Sequence, residues 1–143
     1  GLSDILRNPN NHISEFELFS DFNENTSKVP GLALDILTRG SRVKNPSELL
    51  GSSLTKDFLN YVSKQYEFVI IDSAPSLTLT DSVILGRRVG GVLLVVNAKG
   101  TSRNHIKQLV SRFRDINANL MGFSLNKLAQ KNFNYYSFLN SIR

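Results

Sequence analysis

The sequence predicts an α/β fold: a parallel sheet with helices on both faces, in a three-layer, Rossmann-like arrangement. Three observations point to it. Residues 68–71 and 92–96 are continuous apolar runs rich in β-branched side chains, the pattern of strands covered on both faces. Residues 53–65 and 103–116 carry apolar side chains at helical spacing. Strands and helices then alternate along the chain, and such an order needs crossover connections that keep the strands parallel.

The elements follow in order. Residues 1–7 read as a short helix with Ser3 as a candidate N-cap, and the Asn and Pro residues of 8–11 break it. Residues 13–22 fit either period, and 23–31 are polar and turn-rich. Residues 32–38 read as a strand closed by Gly40, followed by a basic loop over 41–45. Asn45 precedes Pro46, Ser47 and Glu48. An Asn N-cap, Pro at the first helical position and Glu at the third start a helix, which stops near Gly51. A second helix, 53–65, places Leu54, Phe58, Tyr61 and Val62 on one face. The strand 68–71 ends at Asp72, and 73–79 form a loop. A short helix over 81–88 has Thr80 or Asp81 as its cap. The strand 92–96, the loop 97–102, the helix 103–116 with Ile106, Leu109, Val110 and Phe113 on one face, and the strand 120–125 complete the domain. Residues 1–128 thus read as domain, and 129–143 as a polar tail with aromatic residues.

Composition narrows the chemistry. The chain has 143 residues, 41% of them hydrophobic and 20% charged, which suits a globular fold. It has no cysteine, so a disulfide framework, a thiolate zinc site and a cysteine nucleophile are excluded. No apolar run approaches the ~20 residues of a membrane span, and no basic-then-apolar leader opens the chain. The net charge is +5, but the basic residues are scattered and no run of them appears, so no nucleic-acid partner is expected. His12 and His105 have no third ligand at useful spacing, and no G-x-S-x-G nucleophile pattern occurs.

In parallel α/β sheets, ligands sit outside the carboxyl ends of the strands, so 72–75, 97–101 and Asn126 with Lys127 are the informative positions. Phe68-Val69-Ile70-Ile71-Asp72-Ser73-Ala74-Pro75 has a Walker B arrangement: four apolar residues ending in an acid. A strand so placed holds the carboxylate where it can meet a Mg²⁺-bound water beside nucleotide phosphates. The plainer reading is a strand-end Asp closing a turn. Ser73 either approaches the Mg²⁺ or serves as a small turn residue.

A longer pattern surrounds this strand. It comprises Gly1-Leu2-Ser3-Asp4-Ile5-Leu6, Asn45-Pro46-Ser47-Glu48-Leu49-Leu50-Gly51-Ser52, Tyr66-Glu67, the Asp72 segment, Thr80-Asp81, Gly91-Val92-Leu93-Leu94-Val95-Val96 and Gly122-Phe123-Ser124-Leu125-Asn126-Lys127. In this order and spacing the chain resembles the capsular and exopolysaccharide family of bacterial tyrosine kinases. The resemblance implies a P-loop ATPase fold of the MinD/ParA kind, here truncated. It implies ATP and Mg²⁺ as cofactors, with Asp72 organising the metal and acting in catalysis. Asn126 stands where that class places an adenine-reading Asn, and its alternative is a turn cap. Asp81 matches the family's pattern, and its plainer role is a helix N-cap. Tyr135 and Tyr136 correspond to the family's tail tyrosines, the acceptors of the γ-phosphoryl group, and their alternative is packing on the domain. The family assembles in rings and regulates polysaccharide polymerisation and export with a membrane-embedded partner or domain. That places the expected location in the cytoplasm at the inner membrane face.

The chain departs from the family's pattern: it contains no G-x-x-x-x-G-K-[ST]. Lys99-Gly100-Thr101 has the residues in the wrong order and follows a late strand. The family's second acidic strand would lie upstream of Gly1. Without a cradle of amides and a lysine, the chain by itself is expected to bind ATP weakly or not at all. Two other readings are open. One is a non-catalytic module that docks a partner of polysaccharide export through Arg42, Lys44 and the helix begun by Asn45. The other is a MinD/ParA-type ATPase with Arg103, Lys107 and Arg112 against DNA or lipid.

Overall fold

The structure, a computed structural model, describes residues 1–7, 22–75 and 80–128. The chain forms two compact units, Gly1–Arg88 and Val89–Arg143.

The first unit contains α1 (Leu2–Ile5), α2 (Phe22–Asn25), β1 (Thr26–Lys28), β2 (Asp35–Leu37), α3 (Pro46–Gly51), α4 (Ser53–Gln65) and α5 (Asp81–Gly86). Helix α4 forms where the periodicity places it. Ser52 caps it, its Oγ accepting from the Thr55 amide at 3.2 Å. Its inward face buries Phe58 and Val62 against Ile5, Leu6 and Phe22. Phe22 meets Phe58, Tyr61 and Tyr66 edge-on, with ring centroids 5.7, 5.9 and 6.2 Å apart. That quadrupole-favoured geometry anchors the aromatic cluster. Helix α3 begins at Pro46 with Asn45 in the N-cap position, as expected, but the Asn45 side chain donates to Glu48 Oε2 at 3.1 Å and makes no capping bond to the backbone.

Three expectations for this unit need correction. The strand expected over 32–38 narrows to β2, and its antiparallel partner β1 lies in the stretch read as turns. Thr26, Ser27 and Lys28 carry no alternating pattern; the ladder to β2, with Thr26 opposite Leu37 and Lys28 opposite Asp35, is what makes them a strand. Ser3 is not a cap. Gly1 occupies that position, while Ser3 is buried and donates from Oγ to the Ser41 carbonyl at 2.8 Å. The amides of Leu2 and Ser3 donate to the Thr38 and Arg39 carbonyls, so α1 docks on the chain leaving β2. Gly40 permits this approach: its φ is +81°, and a Cβ there would lie 2.7 Å from Ser3 Oγ.

The third correction concerns residues 68–71, expected as a central buried strand. They join no ladder among the described residues, and Phe68 and Ile70 are 78% and 92% exposed. The described strands use their hydrogen bonds on each other, β1 with β2 and β3 with β4, and none reaches this run. The run lines an apolar cleft of about 410 Å³ together with Leu34, Leu37, Phe58 and Val62.

The second unit contains β3 (Val92–Asn97), α6 (Arg103–Asp115) and β4 (Leu120–Asn126). The two strands are parallel, with Leu94 opposite Phe123 and Asn97 opposite Asn126, and α6 is the crossover between them. Ser102 caps α6, accepting from the His105 amide. Phe113, 1% exposed, packs with Leu94 and Val96, and Ile106, Leu109, Val110 and Leu125 close around them. The helix thus covers one face of the pair, while Leu93, Val95 and Met121 of the strands are exposed.

Candidate functional site

In the first unit, the loop after the 68–71 run presents Asp72 and Ser73 to solvent. The Asp72 carboxylate has no partner among the described residues. Among the described residues, Ser73 Oγ makes one long contact, 3.4 Å to the Ala74 carbonyl.

Downstream, α5 is tied to α3 at both ends. Ser47 Oγ donates to Asp81 Oδ1 at 2.5 Å and lies 3.2 Å from Thr80 Oγ1. At the opposite end, the Arg88 guanidinium donates to the Ser52 carbonyl at 2.7 Å and also to the Gly51 carbonyl. Asp81 is therefore not an N-cap. Thr80 holds the cap position without a side-chain bond, and Asp81 is the first helical residue, its carboxylate taken by Ser47. Residue type alone suggested a cap; a partner 34 positions away decides otherwise.

In the second unit, Asn97 and Asn126 sit side by side at the carboxyl ends of the parallel strands. Asn97 organises the turn that follows β3: its Oδ1 accepts from the Lys99 amide at 3.1 Å, and its carbonyl accepts from Gly100 and Thr101. Asn126 Oδ1 accepts from the Lys127 amide at 2.7 Å, where Lys127 takes φ +58°. The Asn126 carbonyl oxygen is thus spent on the turn, while Nδ2 has no partner among the described residues and remains a donor. The turn-cap reading is satisfied by one end of the amide without using the other. Asn97 lay within the strand-end residues singled out from sequence, but only the register pairs it with Asn126.

A Mg²⁺ ion keeps several waters and needs few protein carboxylates when phosphates supply the rest. Asp72, exposed, anionic and unpartnered among the described residues, fits that role through a water. No cluster of three or more His, Asp or Glu able to hold a metal exists among the described residues. Tyr135 and Tyr136 lie outside the described residues.

No family model matches the chain. It is 32% identical over 109 residues to the tyrosine-protein kinase ptk of Acinetobacter johnsonii, covering 76% of this chain and 15% of that protein. It is 32% identical over 104 residues to the tyrosine-protein kinase wzc of Salmonella typhi, covering 73% of this chain and 14% of that protein. Among solved structures, the VpsO kinase domain superposes with a TM-score of 0.71 at 31% identity over 75% of this chain. The chain belongs to the bacterial tyrosine kinases of capsule biosynthesis. Within that family its fold is shared further: the chimerical protein CapA2B2 matches 91% of this chain at a TM-score of 0.77 and 28% identity. The chain spans 53% of the VpsO kinase domain and of CapA2B2 alike, and a smaller share of the curated kinases. It therefore represents about half of a bacterial tyrosine kinase domain as such domains are solved.

Proposed function

We propose that this chain is the Walker B-bearing part of an ATP-dependent tyrosine autokinase that regulates capsule or exopolysaccharide polymerisation and export. The observation that carries the reading is the exposed Asp72 carboxylate at the end of an apolar run, without a partner among the described residues, in a chain that shares fold and sequence with kinase domains. Bound ATP and Mg²⁺ would supply the transferable phosphoryl group and neutralise its charge. Asp72 would hold the metal through a water, and Asn126 Nδ2 would donate to the adenine edge. The clamp of Ser47, Asp81 and Arg88 would hold α5 against α3. Tyr135 and Tyr136 are the proposed acceptors. By the same likeness, copies assemble into a ring at the cytoplasmic face of the membrane beside a membrane-embedded polysaccharide co-polymerase.

The test is phosphotyrosine mass spectrometry on the full-length gene product incubated with ATP and Mg²⁺. Modified tyrosines are expected, with the signal abolished in Asp72→Ala and reduced in Tyr135→Phe/Tyr136→Phe. The 143-residue chain by itself, titrated with ATP, is expected to show little or no binding. Absence of phosphotyrosine in an intact, folded product would instead support a non-catalytic docking role.

A further inference from the structure

The positive charge of this protein is unevenly shared between its two units. Residues 1–88 contain nine basic and eleven acidic side chains, while residues 89–143 contain eight basic and one acidic. The first unit is thus −2 and the second +7, so the second accounts for more than the whole net charge of +5. Such asymmetry between halves marks a surface that meets a polyanion.

Helix α6 concentrates this charge. At about 100° per residue, Arg103, Lys107 and Arg114 fall within an arc of about 40°, on a line about 16 Å long. The stripe flanks the apolar face of Ile106, Leu109, Val110 and Phe113, which is committed to the sheet. All three cations are exposed, and none has an ion-pair or hydrogen-bond partner among the described residues. The one acid of the unit, Asp115, projects about 100° away from the stripe. Three cations aligned without counter-charges repel one another, so they carry a small electrostatic cost that an anionic partner would relieve.

We propose that this flank of α6 is a contact strip for the phosphate headgroups of an anionic bilayer. A straight, one-sided row of three charges fits a flat surface. It offers no exposed aromatic for stacking on single-stranded bases: the aromatic residue of α6, Phe113, is buried. Each cation at an anionic membrane contributes about 1 kcal/mol, so one copy binds weakly and reversibly. The strip orients a chain that is already held near the membrane, and neighbouring copies strengthen it by avidity. The inference deepens the proposed membrane-face location but needs neither nucleotide nor catalysis.

Sedimentation with vesicles of phosphatidylcholine, with and without phosphatidylglycerol, at low and near-physiological salt, tests it. The chain is expected to bind only the phosphatidylglycerol vesicles, more weakly as salt rises. Arg103→Gln/Lys107→Gln/Arg114→Gln should lower affinity on the order of a hundredfold, and Lys107→Glu alone should lower it measurably. The charge-matched control Arg42→Gln/Lys44→Gln/Lys56→Gln, all exposed positions of the first unit, should lose far less. Circular dichroism checks that each variant stays folded. Equal losses in the two triple variants would show that net charge alone drives binding and overturn the proposal. So would failure to prefer phosphatidylglycerol, or tighter binding to duplex DNA than to vesicles at matched phosphate concentration. Because no ATP is used, loss of the kinase reading would leave a positive vesicle result intact, and the reverse also holds.

Discussion

Tyr66, the residue closing α4, donates its phenol hydrogen to Asp35 Oδ2 of β2 at 2.6 Å, across 31 positions of chain. The same ring packs edge-on against Phe22. One side chain thus joins the two-stranded ladder, the long helix and the aromatic core of the first unit.

This bond gives alkaline instability with a defined sign. The Asp35 carboxylate, then burial, push the Tyr66 phenol up to about 12 from an ordinary 10. The folded state favours the neutral phenol, so its contribution is complete below pH 10 and is lost as pH rises toward 12. Tyr66→Phe should remove that alkaline loss and cost about 1 kcal/mol at neutral pH. Urea unfolding as a function of pH reads both, and an unchanged alkaline limb in the variant would show that Tyr66 does not cause it.

The α3–α5 clamp should be worth more locally than globally. Ser47→Ala leaves the Asp81 carboxylate without its 2.5 Å donor, and Arg88→Ala frees two carbonyls. Each variant should lose about 1–2 kcal/mol. Amide exchange should rise in α3 and α5 before it rises in α4. Uniform acceleration across the first unit would mean that the clamp is not a local device.

Phe113 seals the second unit, so Phe113→Ala should destabilise it by about 3–5 kcal/mol through lost burial and the cavity left behind. Thermal unfolding followed by circular dichroism measures this. A loss under about 1 kcal/mol would show that α6 is not held by that ring.

Ile70 provides the contrasting case. At 92% exposure, Ile70→Asp should change the stability of this chain by no more than about 0.5 kcal/mol. In the full-length gene product, where the apolar pattern calls for a covered strand, the same change should cost several-fold more. A large loss in the isolated chain would place Ile70 in a packed interior after all.

The four outcomes probe different depths of what is legible in this sequence. Helices α4 and α6 and strands β3 and β4 can be read from residues alone, because period and composition act within a few positions of the chain. The order of motifs likewise identifies the kinase family, and Asp72 stands out from its immediate neighbours as an acid that ends an apolar run. Tertiary structure decided the rest. β1 exists only through its ladder to β2, and Asp81 serves a hydrogen bond from Ser47 rather than its own helix. Asn126 commits its side-chain oxygen to the Lys127 amide, and its Nδ2 has no partner among the described residues. The run at 68–71, apolar enough for a core, stands exposed because no described strand pairs with it. Apolarity states that a segment gains by being buried; whether it is buried depends on surfaces that come from elsewhere in the fold.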